Sequence, residues 1–299
     1  MRILFISSNR VGDAVLSTGL LDHLIRTYPD SRITLACGPA AAGLFERMPN
    51  LDRLIVMPKR RFGRHWLALW AASAGHWWDL VVDLRASALS WLVPARRRAV
   101  MRKRPGHKIE QLAAILALAP PPLPVTWTSA ADRARAAALL PPGPPVIALG
   151  PTANWTGKLW PPERFVDLYR ALSAPGGALA GARAAVLAGP GDYERGLAAP
   201  VLAALPAAID LAGALSLAEA AACLSRAALF IGNDSGLMHL AAAAGVPTLG
   251  LFGPTPAAEY APAGRRAAAV TADGARMEDL PVATALAAAT RLIGSSGGL

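Results

Sequence analysis

Four loops in this 299-residue chain carry the residue types that chemistry needs, and each follows a run that reads as a β-strand. The first is Ser7-Ser-Asn-Arg-Val-Gly-Asp13, which leads into a helix. Gly12 and Gly19 do not have the spacing of a dinucleotide-binding G-x-G-x-x-G, so that fingerprint is absent. Asp13 falls in the first helical turn at the mouth of a sheet, where the helix N-terminus favours a carboxylate. From local sequence alone it reads as an N-terminal capping or first-turn acid. The second loop, Gly150-Pro-Thr152-Ala-Asn154-Trp-Thr-Gly-Lys158-Leu-Trp160, contains the only lysine after residue 141. A lone cation at a strand–helix junction suits a phosphate, although the P-loop pattern GxxxxGK[ST] is missing, and it reads equally as an ordinary surface lysine.

The third loop is Gly232-Asn-Asp234-Ser235-Gly236, opening a helix that carries His239. Backbone N–H groups at such a helix start form a ready anion site. Asp234 reads alternatively as an N-cap, and His239 as a satisfied helix histidine. In the fourth loop, Gly189-Pro-Gly-Asp192-Tyr-Glu194, either acid suits a ribose hydroxyl or the start of the following helix. No HExxH, histidine pair or carboxylate cluster at ligand spacing occurs, so nothing calls for a metal.

The elements that must position these loops alternate. Strands are predicted over Arg2–Ser7, Arg32–Ala36, Arg53–Met57 and Leu80–Leu84, with a helix over Gly12–Tyr28 and further helical segments between. Two proline clusters, Ala119-Pro-Pro-Pro-Leu-Pro124 and Pro141-Pro-Gly-Pro-Pro145, imply a domain boundary between residues 120 and 145. The pattern then restarts with strands Val146–Leu149, Ala184–Ala188, Leu229–Gly232 and Thr248–Phe252. Helices are expected over Pro161–Leu172, Asp192–Leu205, Ser235–Ala244 and about Met277–Ile293, before a frayed Gly/Ser tail. Alternation of this kind implies parallel sheets covered on both faces, here an α/β domain over 1–140 and a second over 141–299.

Charge separates the two halves. Residues 1–141 hold 20 Lys and Arg against 9 Asp and Glu, a net +11, whereas residues 142–299 are at −1. Lys59, Arg60, Arg61 and Arg64 form one cluster, and Arg96–Arg98 with Arg102–Arg104 and Lys108 another. Such runs attract polyanions (nucleic acid, an anionic membrane, or a phosphorylated or carboxylated substrate) or form a solvated basic face without function. Trp66, Trp70, Trp77, Trp78 and Trp91 lie between the clusters, where aromatics serve base stacking or a membrane interface. Trp77 and Trp78, leading into a strand, are expected in the core.

The composition, 54% hydrophobic and 17% charged, fits a globular protein rather than disorder or a fibrous repeat. Cys37 and Cys223 are too far apart in sequence for a CxxC, which speaks against a disulfide framework or thiolate zinc site. The opening MRILFISSNR lacks the long apolar stretch of a secretory signal, and no stretch convinces as a bilayer span. The expectation is a soluble protein of a reducing compartment.

Taken together, Gly12-Asp13, Asn154-Trp-x-x-Lys158-x-Trp-Pro161, Gly189-x-Gly-Asp192 and Asn233-Asp-Ser-Gly-x-x-His239 resemble glycosyltransferase family 9, the ADP-heptose:lipopolysaccharide heptosyltransferases. Leu211-Ala-Gly213 with Ser216-Leu-x-Glu219, and Val246-Pro-x-x-x-Leu-Phe-Gly-Pro254, add to the likeness. The resemblance implies a GT-B fold: two Rossmann-like domains with an interdomain cleft, the N-terminal one binding acceptor and the C-terminal one the nucleotide sugar. It implies inverting, metal-independent transfer from ADP-heptose as co-substrate, with no cofactor. Asp13 is then the general base and Lys158 the diphosphate ligand. Thr152, Asn154, Asp234, Ser235, Gly236 and His239 become donor contacts, with Asp192 or Glu194 at the ribose. Gly12, Arg60, Arg61 and Arg64 fall to the acceptor, an anionic glycolipid met at the inner face of the cytoplasmic membrane. The expected location is cytoplasmic and peripheral on that membrane, with no nucleic-acid partner. Two competing readings are a non-catalytic nucleic-acid-binding or scaffold protein that uses the basic half, and a nucleotide-sugar epimerase of GT-B shape.

Overall fold

Short apolar runs such as Ile3-Leu4-Phe5-Ile6 are buried on both faces, and a chain of them can satisfy its backbone only as a covered parallel sheet. The computed structural model describes residues 1–294, so the Gly/Ser tail lies outside the described residues. It divides into two units, Met1–Trp127 and Thr128–Leu299.

In the first unit the elements run β1 (Arg2–Ile6), α1 (Val11–Thr27), β2 (Arg32–Cys37), β3 (Leu51–Val56), α2 (Arg64–Ser73), β4 (Trp78–Asp83), α3 (Leu89–Leu92), β5 (Ala95–Val100) and α4 (Lys108–Ala113). The sheet is parallel with order β3-β2-β1-β4-β5. Because β1 is followed by β2 on one side and β4 lies on the other, the loops after β1 and β4 diverge over a crevice. That is the topological switch point where such sheets bind ligands.

The second unit runs α5 (Ala130–Leu139), β6 (Val146–Gly150), α6 (Pro162–Ser173), β7 (Arg183–Val186), α7 (Asp192–Ala204), β8 (Ile209–Asp210), α8 (Leu217–Leu224), β9 (Leu229–Asn233), α9 (Gly236–Ala243), β10 (Thr248–Phe252), α10 (Ala257–Tyr260), β11 (Ala267–Thr271) and α11 (Val282–Gly294). Its strand order, β11-β10-β9-β6-β7-β8, is the doubly wound arrangement, again all parallel. The switch point lies between β6 and β9, so the loops carrying Lys158 and Asp234 border the same crevice.

Several expectations are corrected. The basic run Arg96–Arg98, read from sequence only as a charge cluster, forms edge strand β5, where charged side chains guard an open edge. Within it Arg98 serves the fold, donating to the carbonyls of Ser90 (2.7 Å), Ala95 (3.1 Å) and Val93 (2.9 Å). Trp78 is buried as expected, its Nε1 donating to the Ser73 carbonyl at 2.9 Å, but Trp77 is 63% exposed. Successive residues entering a strand face opposite ways, so only one of the pair can reach the core. Strands β8 and β11 were missed, one too short and the other too alanine-rich to show a strand pattern. The terminal helix starts only at Val282, because Pro281 follows a separate turn at Met277–Asp279.

The proline stretch after residue 119 is not a free linker. Val125 N–H donates to Thr18 Oγ1 (2.8 Å), and Gly19 of α1 packs so closely that a Cβ there would meet the Pro122 carbonyl at 2.5 Å. Helix α5, capped reciprocally by Ser129 and Asp132, packs on α8 and belongs with the second unit. The unit division therefore falls at Trp127/Thr128, before α5. The Ser216–Glu219 motif is the corresponding capping box of α8.

Facing glycines shape the centre of the second sheet. Gly150 and Gly232 are register partners, and a Cβ on Gly232 would meet the Phe230 ring at 2.7 Å and the Gly150 carbonyl at 3.0 Å. Gly232→Ala is therefore expected to destabilise the protein by about 1–3 kcal/mol through overpacking. An unshifted urea midpoint would show that the Phe230 ring yields without cost.

Candidate functional site

At the crevice of the second unit, Trp160 organises the loop after β6. Its ring is 1% exposed and meets Phe165 edge-on at 5.1 Å, and its Nε1 donates to the Leu280 carbonyl at 2.9 Å. Its backbone N–H donates to Asn233 Oδ1 at 3.1 Å, fastening this loop to the end of β9. Two residues earlier, Lys158 ends a single 3₁₀ turn, Thr156–Lys158, whose Gly157 lets the Trp155 ring fold against it. The result is an ion pair: Lys158 Nζ lies 2.7 Å from Asp234 Oδ2, with side chains 19% and 7% exposed. Thr255 Oγ1 donates to the same oxygen at 2.8 Å.

Asp234 is thus not the N-cap of α9. Ser235 holds that position in extended conformation, and no side chain caps the helix. The first-turn N–H groups of α9 therefore lack side-chain partners at the crevice. Ser235 Oγ and Asn233 Nδ2 are also buried without a hydrogen-bond partner among the described residues. Unpaired buried donors beside a helix N-terminus and an ammonium group describe a site built for an anion. Lys158 has three N–H donors, and the Asp234 bond aims the group while leaving others for a ligand. Gly236 opens α9, His239 is buried in its first turn, and Thr152 is 2% exposed near the start of the β6 loop. Asn154 is exposed.

The fourth loop distinguishes its two acids. Glu194 Oε2 accepts from the Gly189 N–H at 3.2 Å and closes the loop on itself, whereas Asp192 is exposed at the start of α7. Both stand at the C-terminal end of β7, the neighbour of β6 on the side away from Asp234.

In the first unit, Gly12 and Asp13 lie in the first turn of α1, which has no side-chain cap. Ser8 Oγ donates weakly to Asp13 Oδ2 at 3.5 Å. Arg60, Arg61 and Arg64 are exposed around the start of α2. Beside them is an apolar surface: Phe62 is 97% exposed, and Leu67, Trp70, Trp91 and Leu92 are also exposed. Trp70 Nε1 donates to the Leu92 carbonyl at 3.2 Å, joining α2 to α3.

Sequence reading gave no separate role to Asn233 or Thr255, which fasten the loops around the Lys158–Asp234 pair. Asn233 carries a detectable signal, a polar side chain just beyond the end of a predicted strand. Thr255 carries none, because only the fold brings it to Asp234. Among the described residues no group of three or more His, Cys, Asp or Glu is placed to hold a metal. None of the described helices is long and apolar enough to cross a membrane. Both cysteines are buried and unbridged, and burial pushes the Cys37 thiol up to about 12.

Comparison with known proteins places these features. The chain is 27% identical over 315 residues to the lipooligosaccharide heptosyltransferase 2 of Haemophilus influenzae, covering 88% of this chain and 86% of that protein. Its fold is that of the family 9 glycosyl transferase from Veillonella parvula, with TM-score 0.82 and 21% identity over 98% of this chain and 97% of the other. It is also that of the E. coli heptosyltransferase WaaC solved with ADP-2-deoxy-2-fluoro heptose, with TM-score 0.72 and 20% identity over 99% and 100% of the two chains. The architecture is GT-B, with two parallel-sheet α/β domains. The profile of glycosyltransferase family 9 (heptosyltransferase) matches residues 86–286, and the chain belongs to that family.

Proposed function

We propose that this glycosyltransferase moves heptose from ADP-heptose to an anionic lipopolysaccharide core acceptor, inverting the anomeric centre. The nature of the relatives supports that donor and acceptor: one is a lipooligosaccharide heptosyltransferase, and another was solved with a fluorinated ADP-heptose. The observation that carries the reading is the Lys158–Asp234 pair beside the uncapped N-terminus of α9. In the reaction an acceptor hydroxyl attacks the anomeric carbon as the bond to the diphosphate breaks. The hydroxyl is a poor nucleophile, and Asp13 takes its proton. The departing ADP gains negative charge on its terminal phosphate. Lys158 and the α9 N–H groups stabilise that charge more as it develops than before it. Thr152, Asn154, Ser235, Gly236 and His239 complete the donor site, with Asp234 holding Lys158 in place. Asp192 takes the ribose, since Glu194 is already bonded within its own loop.

The acceptor side belongs to the basic unit, with Gly12, Arg60, Arg61 and Arg64. The protein works in the cytoplasm and meets the inner face of the membrane through these arginines and the exposed Phe62, Trp70 and Trp91. Anionic headgroups attract each nearby basic residue by about 1 kcal/mol, and exposed aromatics seat in the interface. Membership of a transferase family sets aside the purely non-catalytic reading and favours transfer over epimerisation.

Three outcomes test this. Asp13→Asn is expected to lower kcat by about 10²–10⁴-fold, with ADP affinity unchanged. Full turnover in that variant would remove the base. Lys158→Ala is expected to weaken ADP binding roughly tenfold or more in calorimetry, the scale of a charge-assisted hydrogen bond. Equal affinity would mean the lysine serves only Asp234. The protein should co-sediment with vesicles containing anionic lipid and be released by salt, and a Trp70→Ala/Trp91→Ala double variant should bind less. Binding that ignores both lipid charge and the tryptophans would exclude this surface.

A further inference from the structure

The crevice of the first sheet holds a cation that the proposed reaction does not use. Arg85 lies two residues beyond β4, in the loop that faces the β1 loop across the switch point. Its backbone is fixed from below by Asp83, a fully buried carboxylate at the end of β4. Asp83 Oδ1 accepts from the Arg85 N–H at 2.8 Å, and Oδ2 accepts from Ser87 N–H at 2.8 Å and Ser87 Oγ at 2.6 Å. The intervening Ala86 takes φ 49°, a left-handed conformation that non-glycine residues adopt only when their surroundings hold them there.

The side chain is fixed as well. The guanidinium lies 4.5 Å from the centroid of Trp66, and Nη1 donates to Asn9 Oδ1 at 3.3 Å. Asn9 is itself held against Gly38, where a Cβ would come within 2.8 Å of its Cα and Oδ1. Yet Nε and Nη2 of Arg85 have no hydrogen-bond partner among the described residues. Arg98 shows the contrast, since its Nε, Nη1 and Nη2 each donate to a backbone carbonyl. A guanidinium set over an aromatic ring and anchored at one nitrogen, with its other donors open, presents the fork that matches a carboxylate or phosphate bidentately. Burial lowers the Arg85 pKa from its ordinary value, while the Asp83 carboxylate supports the charged form.

We infer that Arg85 reads an anionic group of the acceptor, a carboxylate or phosphate, and that Trp66 and Asn9 hold its fork in position. The inference rests on the proposed transfer to an anionic glycan and adds the residue that selects it. Asn9 lies between Ser8, which contacts Asp13, and the α1 turn that carries Asp13, so the anion and the reacting hydroxyl are referred to one loop. The exposed arginines near α2 offer a field, whereas Arg85 offers a geometry.

The test is steady-state kinetics of the full chain with ADP-heptose and heptose-deficient lipopolysaccharide, in native, dephosphorylated and carboxyl-reduced forms. Arg85→Ala is expected to raise acceptor KM about 10- to 100-fold, with kcat and donor KM within about threefold. Arg85→Lys should recover little, because a point charge lacks the fork. Trp66→Leu, which frees the guanidinium without removing it, should raise acceptor KM by a smaller factor and keeps the test open if Arg85→Ala fails to fold. Wild type and the Arg85 variants should converge on one modified acceptor: the carboxyl-reduced form if a carboxylate is read, the dephosphorylated form if a phosphate is. An unchanged acceptor KM in the variants, or a loss that persists equally on both modified acceptors, would overturn the inference while leaving the transferase reading intact. Failure of the wild type to transfer to native acceptor would overturn that reading and this inference with it.

Discussion

The 2.7 Å contact between Lys158 and Asp234 is the constraint around which the crevice of the second unit is arranged. A partly buried ammonium and carboxylate are tolerated because they pair, and removing either leaves the other desolvated and uncompensated. The pair exists only because the β6 and β9 loops are fastened together. Trp160 does this, with its ring in the core and its N–H on Asn233, so a hydrophobic anchor sets the position of a charge two residues away. Thr255 adds a third loop, after β10, through the same carboxylate oxygen. Three successive strand ends of one sheet thereby converge on a single oxygen atom.

The two sheets use the same device for different ends. Each places a carboxylate at the end or edge of a strand beside the switch point, and each sets a cation close by. In the second unit the carboxylate is the cation's direct partner. In the first, buried Asp83 holds the backbone and leaves the Arg85 side chain to an aromatic face. A lysine suits the first arrangement, because an ammonium accepts a partner from any direction. An arginine suits the second, because its plane can be fixed by stacking while its edge stays open.

Glycine and alanine set how closely these parts approach. Gly150 and Gly232 admit the Phe230 ring over the sheet centre, and Gly38 admits Asn9. Neither requirement depends on positive φ; both are matters of space. The alanine-rich helices bring their partners near in the same way, as where α5 meets α8. The cost is a weak sequence signal, since alanine favours neither face of an element.

Residue order alone disclosed the doubly wound pattern, because fully buried parallel strands must read as short apolar runs separated by helices. It also pointed to the loops of the proposed site, since polar and small residues directly after such runs lie at sheet ends. Gly12-Asp13, Lys158, and Asp234 to His239 were legible for that reason, as was the likeness to family 9 in their order. Strands β5, β8 and β11 were not legible: arginine, brevity and alanine each erased the alternation or apolar run that marks a strand. Nor could linear reading tell which of Trp77 and Trp78 is buried, a matter decided by strand direction. Tertiary structure alone decided that Asp234 pairs with Lys158 rather than capping α9, that Glu194 is committed to its own loop, and that Arg85 rests on Trp66. These are contacts between residues from 5 to 76 positions apart, formed when packing brings strand ends side by side. Composition and spacing hold no record of which side chain then comes within hydrogen-bond reach.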